Sequence, residues 1–171
     1  MSGLSVDDCI GLWRRVLLVP AEGPPDTSTD VLWLQGPTGY VDTRGFAGVL
    51  SATDDVFHWH RDVDTERTDT PDAGRMRWEG NILVENGIHE RYTEHWVREQ
   101  VSVEPAGALF LTAGPARAVL VRVGELVGWA TAAGAVVDDA DRIRGWQDHE
   151  DHIVADGVRW TITAREGVTT R

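Results

Sequence analysis

From Gly11 onward the chain runs in short stretches of alternating apolar and polar residues, each ended by a turn signal, and helical periodicity is scarce. A β-strand sends successive side chains to opposite faces. Tyr40, Asp42 and Arg44 therefore share one face of one segment, and Tyr92, Glu94 and Trp96 share one face of another. An ordinary half-buried strand keeps one face apolar, whereas these two put charge beside aromatic rings. That pattern suits a barrel enclosing a pocket with a polar floor.

The alternation predicts strands over Gly11 to Val19, Asp30 to Gln35, Gly39 to Arg44, Val56 to Arg61, Arg75 to Val84, His89 to Arg98, Ala108 to Ala113, Ala118 to Val123, Leu126 to Ala132, His149 to Ala155 and Val158 to Ala164. Turns are expected at Gly36-Pro37-Thr38, Glu85-Asn86-Gly87, Gly124-Glu125 and Asp156-Gly157. The expected fold is all-β: a single antiparallel barrel of about 8–11 strands, with a short helix over Phe46 to Ser51 as a lid. Residues 1–171 form one domain in this reading, a size that buries a sizeable core. The loops Pro20 to Thr29 and Asp62 to Asp72, rich in Pro, Asp and Thr, read as solvated connectors.

Composition removes several functions. The net charge is −12, and all 16 basic residues are arginine. An acidic surface without a basic stripe repels nucleic acid and anionic lipid. Without lysine there is no Schiff-base chemistry and no P-loop. No Gly-x-Ser-x-Gly or Gly-x-Gly-x-x-Gly occurs, which sets aside serine hydrolases and dinucleotide folds. Cys9 is alone and forms no internal disulfide. No membrane-length apolar run is present, and the polar, acidic N-terminus lacks a signal-peptide pattern, so a cytoplasmic location is expected. The acidic segments at 62–66 and 138–141 lack the pattern of a calcium loop.

Eight tryptophans are too many to serve as surface residues. Part of the set is expected in the core and part on the walls of a cavity for a flat, apolar ligand. The ligand-binding candidates are Trp33, Gln35, Tyr40, Arg44, His58, Tyr92, Trp96 and Trp129. Arg44, Asp42 and Glu94 must pair with one another if they point inward, since each unpaired buried charge costs several kcal/mol. His58 and His60, two apart on a strand, raise a zinc reading with His89, His95, His149 or His152 as a third ligand. No carboxylate or cysteine at ligand spacing accompanies them, so no metal and no cofactor is expected.

At Gly11-Leu12-Trp13 the chain resembles the calycin superfamily of lipocalin-like barrels, in which a Gly-x-Trp of the first strand lies under a basic residue from the last. The resemblance implies Arg165 or Arg159 as that cation. Val31-Leu32-Trp33-Leu34-Gln35, Tyr40 to Arg44, Phe46-Ala47-Gly48, Trp59-His60-Arg61, Trp78-Glu79-Gly80, Gly87-Ile88-His89, Tyr92-x-Glu94-x-Trp96 and Arg165-Glu166-Gly167 look like successive motifs of one calycin family, bacterial and fungal, named for interaction with a haem-regulated inhibitor kinase. It implies one calycin-like barrel here, where fungal members look like two in tandem, and brings no catalytic residue. Some small calycin-type barrels hold haem through a C-terminal histidine; the last predicted strand has none.

The expected function is binding of a small apolar or aromatic ligand, with an anionic group favoured by Arg44. A second reading is a cyclase, isomerase or lyase with His60 or Glu94 as acid or base, Asp42 as orienter and Arg44 as anion stabiliser. A third is a protein-interaction module whose barrel is filled by its own side chains. An unpaired carboxylate facing the pocket favours the second, and a fully paired network the first.

Overall fold

The computed structural model describes residues 3–169. Eight strands close an antiparallel barrel: β1 (Gly11–Val19), β2 (Leu32–Gln35), β3 (Gly39–Asp42), β4 (Phe46–Thr53), β5 (Val56–Asp64), β6 (Ala73–Glu79), β7 (Ile82–Gly87) and β8 (Thr93–Arg98). Each pairs with the next, and β8 returns to β1 with Trp13 opposite Arg98. The chain then continues through β9 (Ala106–Ala113), β10 (Ala116–Val123), β11 (Leu126–Thr131), β12 (Gly134–Asp139), β13 (Gln147–Asp148), β14 (His152–Ala155) and β15 (Val158–Gly167). These seven make a second sheet in the order β12-β11-β10-β9-β15-β14-β13.

The barrel expected from the alternation is therefore present, while the later strands, counted with it in the sequence, build a separate sheet. Three local expectations also change. Phe46 to Ser51 is part of strand β4, not a helix: it pairs with both β3 and β5, and at Gly48 a β-carbon would lie 1.9 Å from the His60 carbonyl oxygen, so only glycine admits the bulge against β5. The stretch Arg75 to Val84 is a hairpin turning at Gly80-Asn81, with Gly80 at φ +62°; Glu85-Asn86-Gly87 therefore lies in β7 and is not a turn. Gly134–Asp139 and Gln147–Asp148 are strands that their weak alternation did not announce.

Parity organises the core. Trp13, Trp33, Tyr40, Phe57, Trp59, Leu83 and Trp96 point into the barrel, and the Trp13 and Trp33 rings stack at 5.6 Å. The opposite parity of the same strands, with Leu12, Leu34, Val41, Ala47 and Val63, packs outward against Ala108, Val119 and Val121 of the second sheet. Glu166 of β15 ties the two sheets. One of its carboxylate oxygens accepts the backbone N–H of Thr38 at 2.9 Å and of Gly39 at 2.7 Å, and the other accepts the Thr38 hydroxyl at 2.6 Å.

One end of the barrel is shut by the N-terminal segment. Leu4 and Val6 pack on the core, and Trp13 Nε1 donates to the Cys9 carbonyl at 2.7 Å. Burial pushes the Cys9 thiol up to about 12, so it is an inert filler. The guanidinium over Trp13 belongs to Arg98, 4.3 Å from the ring centroid, and not to Arg165 or Arg159. Closure explains the difference: the last strand of the barrel is β8, whereas Arg165 lies on β15 and contacts Asp148 and His149. Arg98 also donates to the carbonyls of Ile10 and Asp8. Arg98→Ala is expected to lower unfolding stability by about 2–3 kcal/mol, combining a cation–π contact with two charged hydrogen bonds. Arg165→Ala should stay within about 0.5 kcal/mol of the parent in urea titration.

Candidate ligand pocket in the barrel

The other end of the barrel is open, and a pocket of about 630 Å³ there is lined by Trp33, Trp59 and Trp96, whose indoles pack edge-on with Trp33 at the centre, 5.8 Å from Trp59 and 5.6 Å from Trp96. Its polar floor begins where β3 ends. Asp42 is buried, and its Oδ1 accepts both the backbone N–H of Arg44 at 2.9 Å and Arg44 Nε at 3.0 Å. Gly45, at φ +114°, lets the chain turn sharply enough for Arg44 to fold back over Asp42. Arg44 Nη2 then reaches Asp42 Oδ2 at 2.8 Å, and Nη1 reaches Glu94 Oε1 of β8 at 3.0 Å. Its carbon lies 5.1 Å from the Phe46 ring and 5.7 Å from that of Trp96. Burial opposes the Arg44 charge, but Asp42 and Glu94 outweigh it and hold the guanidinium firmly protonated.

Two further arginines complete the frame. Arg15 of β1, itself buried, lies 3.8 Å from Glu94 Oε1 and 3.4 Å from Asp26. Arg61 of β5 sits over the Phe46 ring, 3.7 Å from its centroid, and pairs with Asp64 at 3.0 Å and Asp72 at 2.8 Å. Every arginine of the frame is thus already engaged by carboxylates. The converse does not hold. Glu85 of β7 is buried directly across the ladder from Glu94, and among the described residues no arginine lies within 4 Å of it. Its partner is the Tyr92 hydroxyl, which donates to Oε1 at 2.7 Å. Burial, then the charges of Glu94 and Asp72, push the Glu85 carboxyl well above the ordinary range. Glu94 is raised too, by burial first, with Arg44 holding it back. Glu94 Oε2 and Trp96 Nε1 are buried without a hydrogen-bond partner.

Of the residues singled out in the sequence, Trp33, Asp42, Arg44, Tyr92, Glu94 and Trp96 come together on this pocket. The others do not. Gln35 is wholly buried and serves as a tie: Oε1 accepts Trp33 Nε1 at 3.0 Å, and Nε2 donates to the carbonyls of Gly36, Thr38 and Gly39. Tyr40 is also buried, its hydroxyl donating to the His60 carbonyl at 3.1 Å. His58 and His60 take the outward parity of β5, opposite to Phe57 and Trp59, and line a depression of about 610 Å³ on the barrel's outer side. His60 Nε2 lies 2.9 Å from Ser51 Oγ there. Trp129 is in the second sheet, against Trp146 at 4.9 Å and Trp160 at 5.8 Å. Among the described residues no group of three or more His, Cys, Asp or Glu is placed to hold a metal ion.

The sequence reading missed Arg15, Phe46, Trp59, Arg61, Asp72 and Glu85. The parity of Phe57, Trp59 and Arg61 carried a usable signal; the position of Glu85 did not, because it depends on β7 pairing with β8. The two loops read as solvated connectors also contribute: Pro20, Ala21, Thr70 and Asp72 stand at the mouth.

The chain matches no protein-family model and no curated protein. Its fold is similar to the crystal structure of the uncharacterised protein YLR301w from Saccharomyces cerevisiae, with a TM-score of 0.60 and 13% identity, over 91% of this chain and 98% of that one. At that identity the likeness is one of fold.

A carboxyl whose folded pKa lies above its unfolded value holds its proton more tightly when folded, so stability is lost as pH rises from the ordinary 4.5 toward the folded value. Glu85→Gln keeps an acceptor for Tyr92 and removes that loss. Its melting temperature is expected to exceed the parent's at pH 8, with the gap closing toward about pH 4. A gap of constant size across that range in thermal melts would show that Glu85 does not titrate there.

Proposed function

We propose that the protein is a calycin-like binding barrel that takes a small molecule with an apolar or aromatic body into its open end. One observation carries the reading: three indoles and the buried carboxylates of Asp42 and Glu94, bridged by a partly exposed Arg44, line a pocket of ligand size, and Glu94 Oε2 and Trp96 Nε1 are left there without partners. Buried polar atoms are normally satisfied, so these two are places for a ligand's polar groups. The position of Arg98 over Trp13 supports the calycin resemblance, as does the barrel itself. The outer face of the barrel and the second sheet share one apolar layer, which supports reading residues 1–171 as one folding unit. The open hollow speaks against a module that acts only through its outer surface.

Glu85 favours a second reading, acid–base catalysis on a bound substrate. It is a buried carboxyl with no arginine partner, hydrogen-bonded to Tyr92 and pushed above the ordinary carboxylate range by burial and the Glu94 charge. In that reading Glu85 or Glu94 moves the proton; His60, on the outer side, has no part in it.

Native mass spectrometry of protein purified from its own host is expected to show a co-purifying compound below about 600 Da, the size such a pocket accommodates. Tryptophan fluorescence checks the place. Trp96→Leu should weaken binding of that compound by about tenfold, while Trp129→Leu should leave it unchanged. Equal affinity in both variants would put the compound elsewhere.

A further inference from the structure

Resting on the binding reading above, we infer that the ligand carries a cationic head, a protonated amine on an aromatic or apolar body, and that the head is received by Glu94 and Glu85. Arg44 at first suggests the opposite charge. Its Nε and Nη2 are held by Asp42, its Nη1 by Glu94, and its backbone N–H by Asp42 again. Arg61 is likewise held by Asp64 and Asp72, and Arg15 by Glu94 and Asp26. Arg15 Nε and Arg61 Nε are buried without partners and Arg91 also lines the pocket, so an anion would find donors, but only beside a larger number of carboxyls.

A cation meets the reverse situation. The pocket lining carries Glu22, Asp42, Asp72, Glu85, Glu90 and Glu94 against Arg44, Arg61 and Arg91, so carboxyls are in excess. The excess is concentrated where Glu85 and Glu94 face each other across β7 and β8. Glu94 is 4% exposed, lines the pocket and has an oxygen with no partner. A donor arriving there satisfies an orphaned acceptor, and its positive charge favours the ionised form of the neighbouring Glu85, which burial and the Glu94 charge otherwise oppose. The indole walls add their own attraction for a cation. The net charge of −12 draws cations toward the mouth.

Three probes with one body test the inference: 2-naphthylethylamine, 2-naphthylacetate and 2-naphthylethanol, titrated calorimetrically into the full-length protein at pH 7.5. The amine is expected to bind at least about tenfold more tightly than the other two, as one charge-assisted hydrogen bond implies. Glu85→Gln and Glu94→Gln should each remove about tenfold of the amine's affinity and leave the alcohol's unchanged. Asp62→Asn, on the outer side of β5, should change neither. If Glu94→Gln fails to fold, Glu85→Gln carries the comparison. Acetate or alcohol binding as tightly as the amine overturns the inference and leaves the binding barrel standing. Amine binding unaffected by both substitutions overturns the assigned carboxyls. Failure of all three probes to bind overturns the binding reading, and this inference with it.

Discussion

Charge taken into the barrel has to be matched group by group, because an ion removed from water without a partner costs more than any single packing contact returns. Asp42 and Glu94 can be buried because Arg44 bridges them, and Arg44 can bridge them because Gly45 lets the backbone fold it over Asp42. The Phe46 ring is in cation–π contact with the guanidinium groups of both Arg44 and Arg61. Without this frame the upper half of the barrel would need either an apolar lining or water.

The two ends of the barrel use the same residue types differently. At the closed end Arg98 lies on Trp13 and binds backbone carbonyls, so cation and indole act as a plug together with the N-terminal segment. At the open end Trp33 packs edge-on against Trp59 and Trp96 beside the hollow, and the arginines face carboxylates instead of carbonyls. The closed end makes the strands one rigid ring. That rigidity is what allows buried carboxyls such as Glu85 to be held in an unfavourable setting opposite Glu94. The second sheet reinforces the ring from outside through the layer around Val41 and Val119, and through the Glu166 carboxylate on Thr38 and Gly39.

Glu85 shows why part of the pocket was invisible in the chain. Glu85-Asn86-Gly87 has the composition of a turn, and locally that is a sound reading. The turn falls instead at Gly80-Asn81, which lengthens β7 and carries Glu85 inward to face Glu94. His58 and His60 failed for the complementary reason. They are conspicuous residues on a real strand, but Phe57 and Trp59 take the inner parity and leave the histidines outside. Gln35 and Tyr40 do point inward, and hydrogen bonds to backbone and neighbouring side chains keep them for structure.

What the amino-acid order decided by itself is local: alternation that makes strands, turn residues that separate most of them, and the same-face grouping of Tyr40 with Asp42 and of Glu94 with Trp96. These follow from the two-residue period of an extended chain, which needs no partner to be defined. Tertiary pairing decided the rest, namely that the ring closes at β8 with Arg98 over Trp13, that the remaining strands form a separate sheet, and that Glu85 meets Glu94. Such facts depend on register between strands far apart in the chain, where a slip of one residue turns every side chain to the other face, and no single strand's composition records that choice.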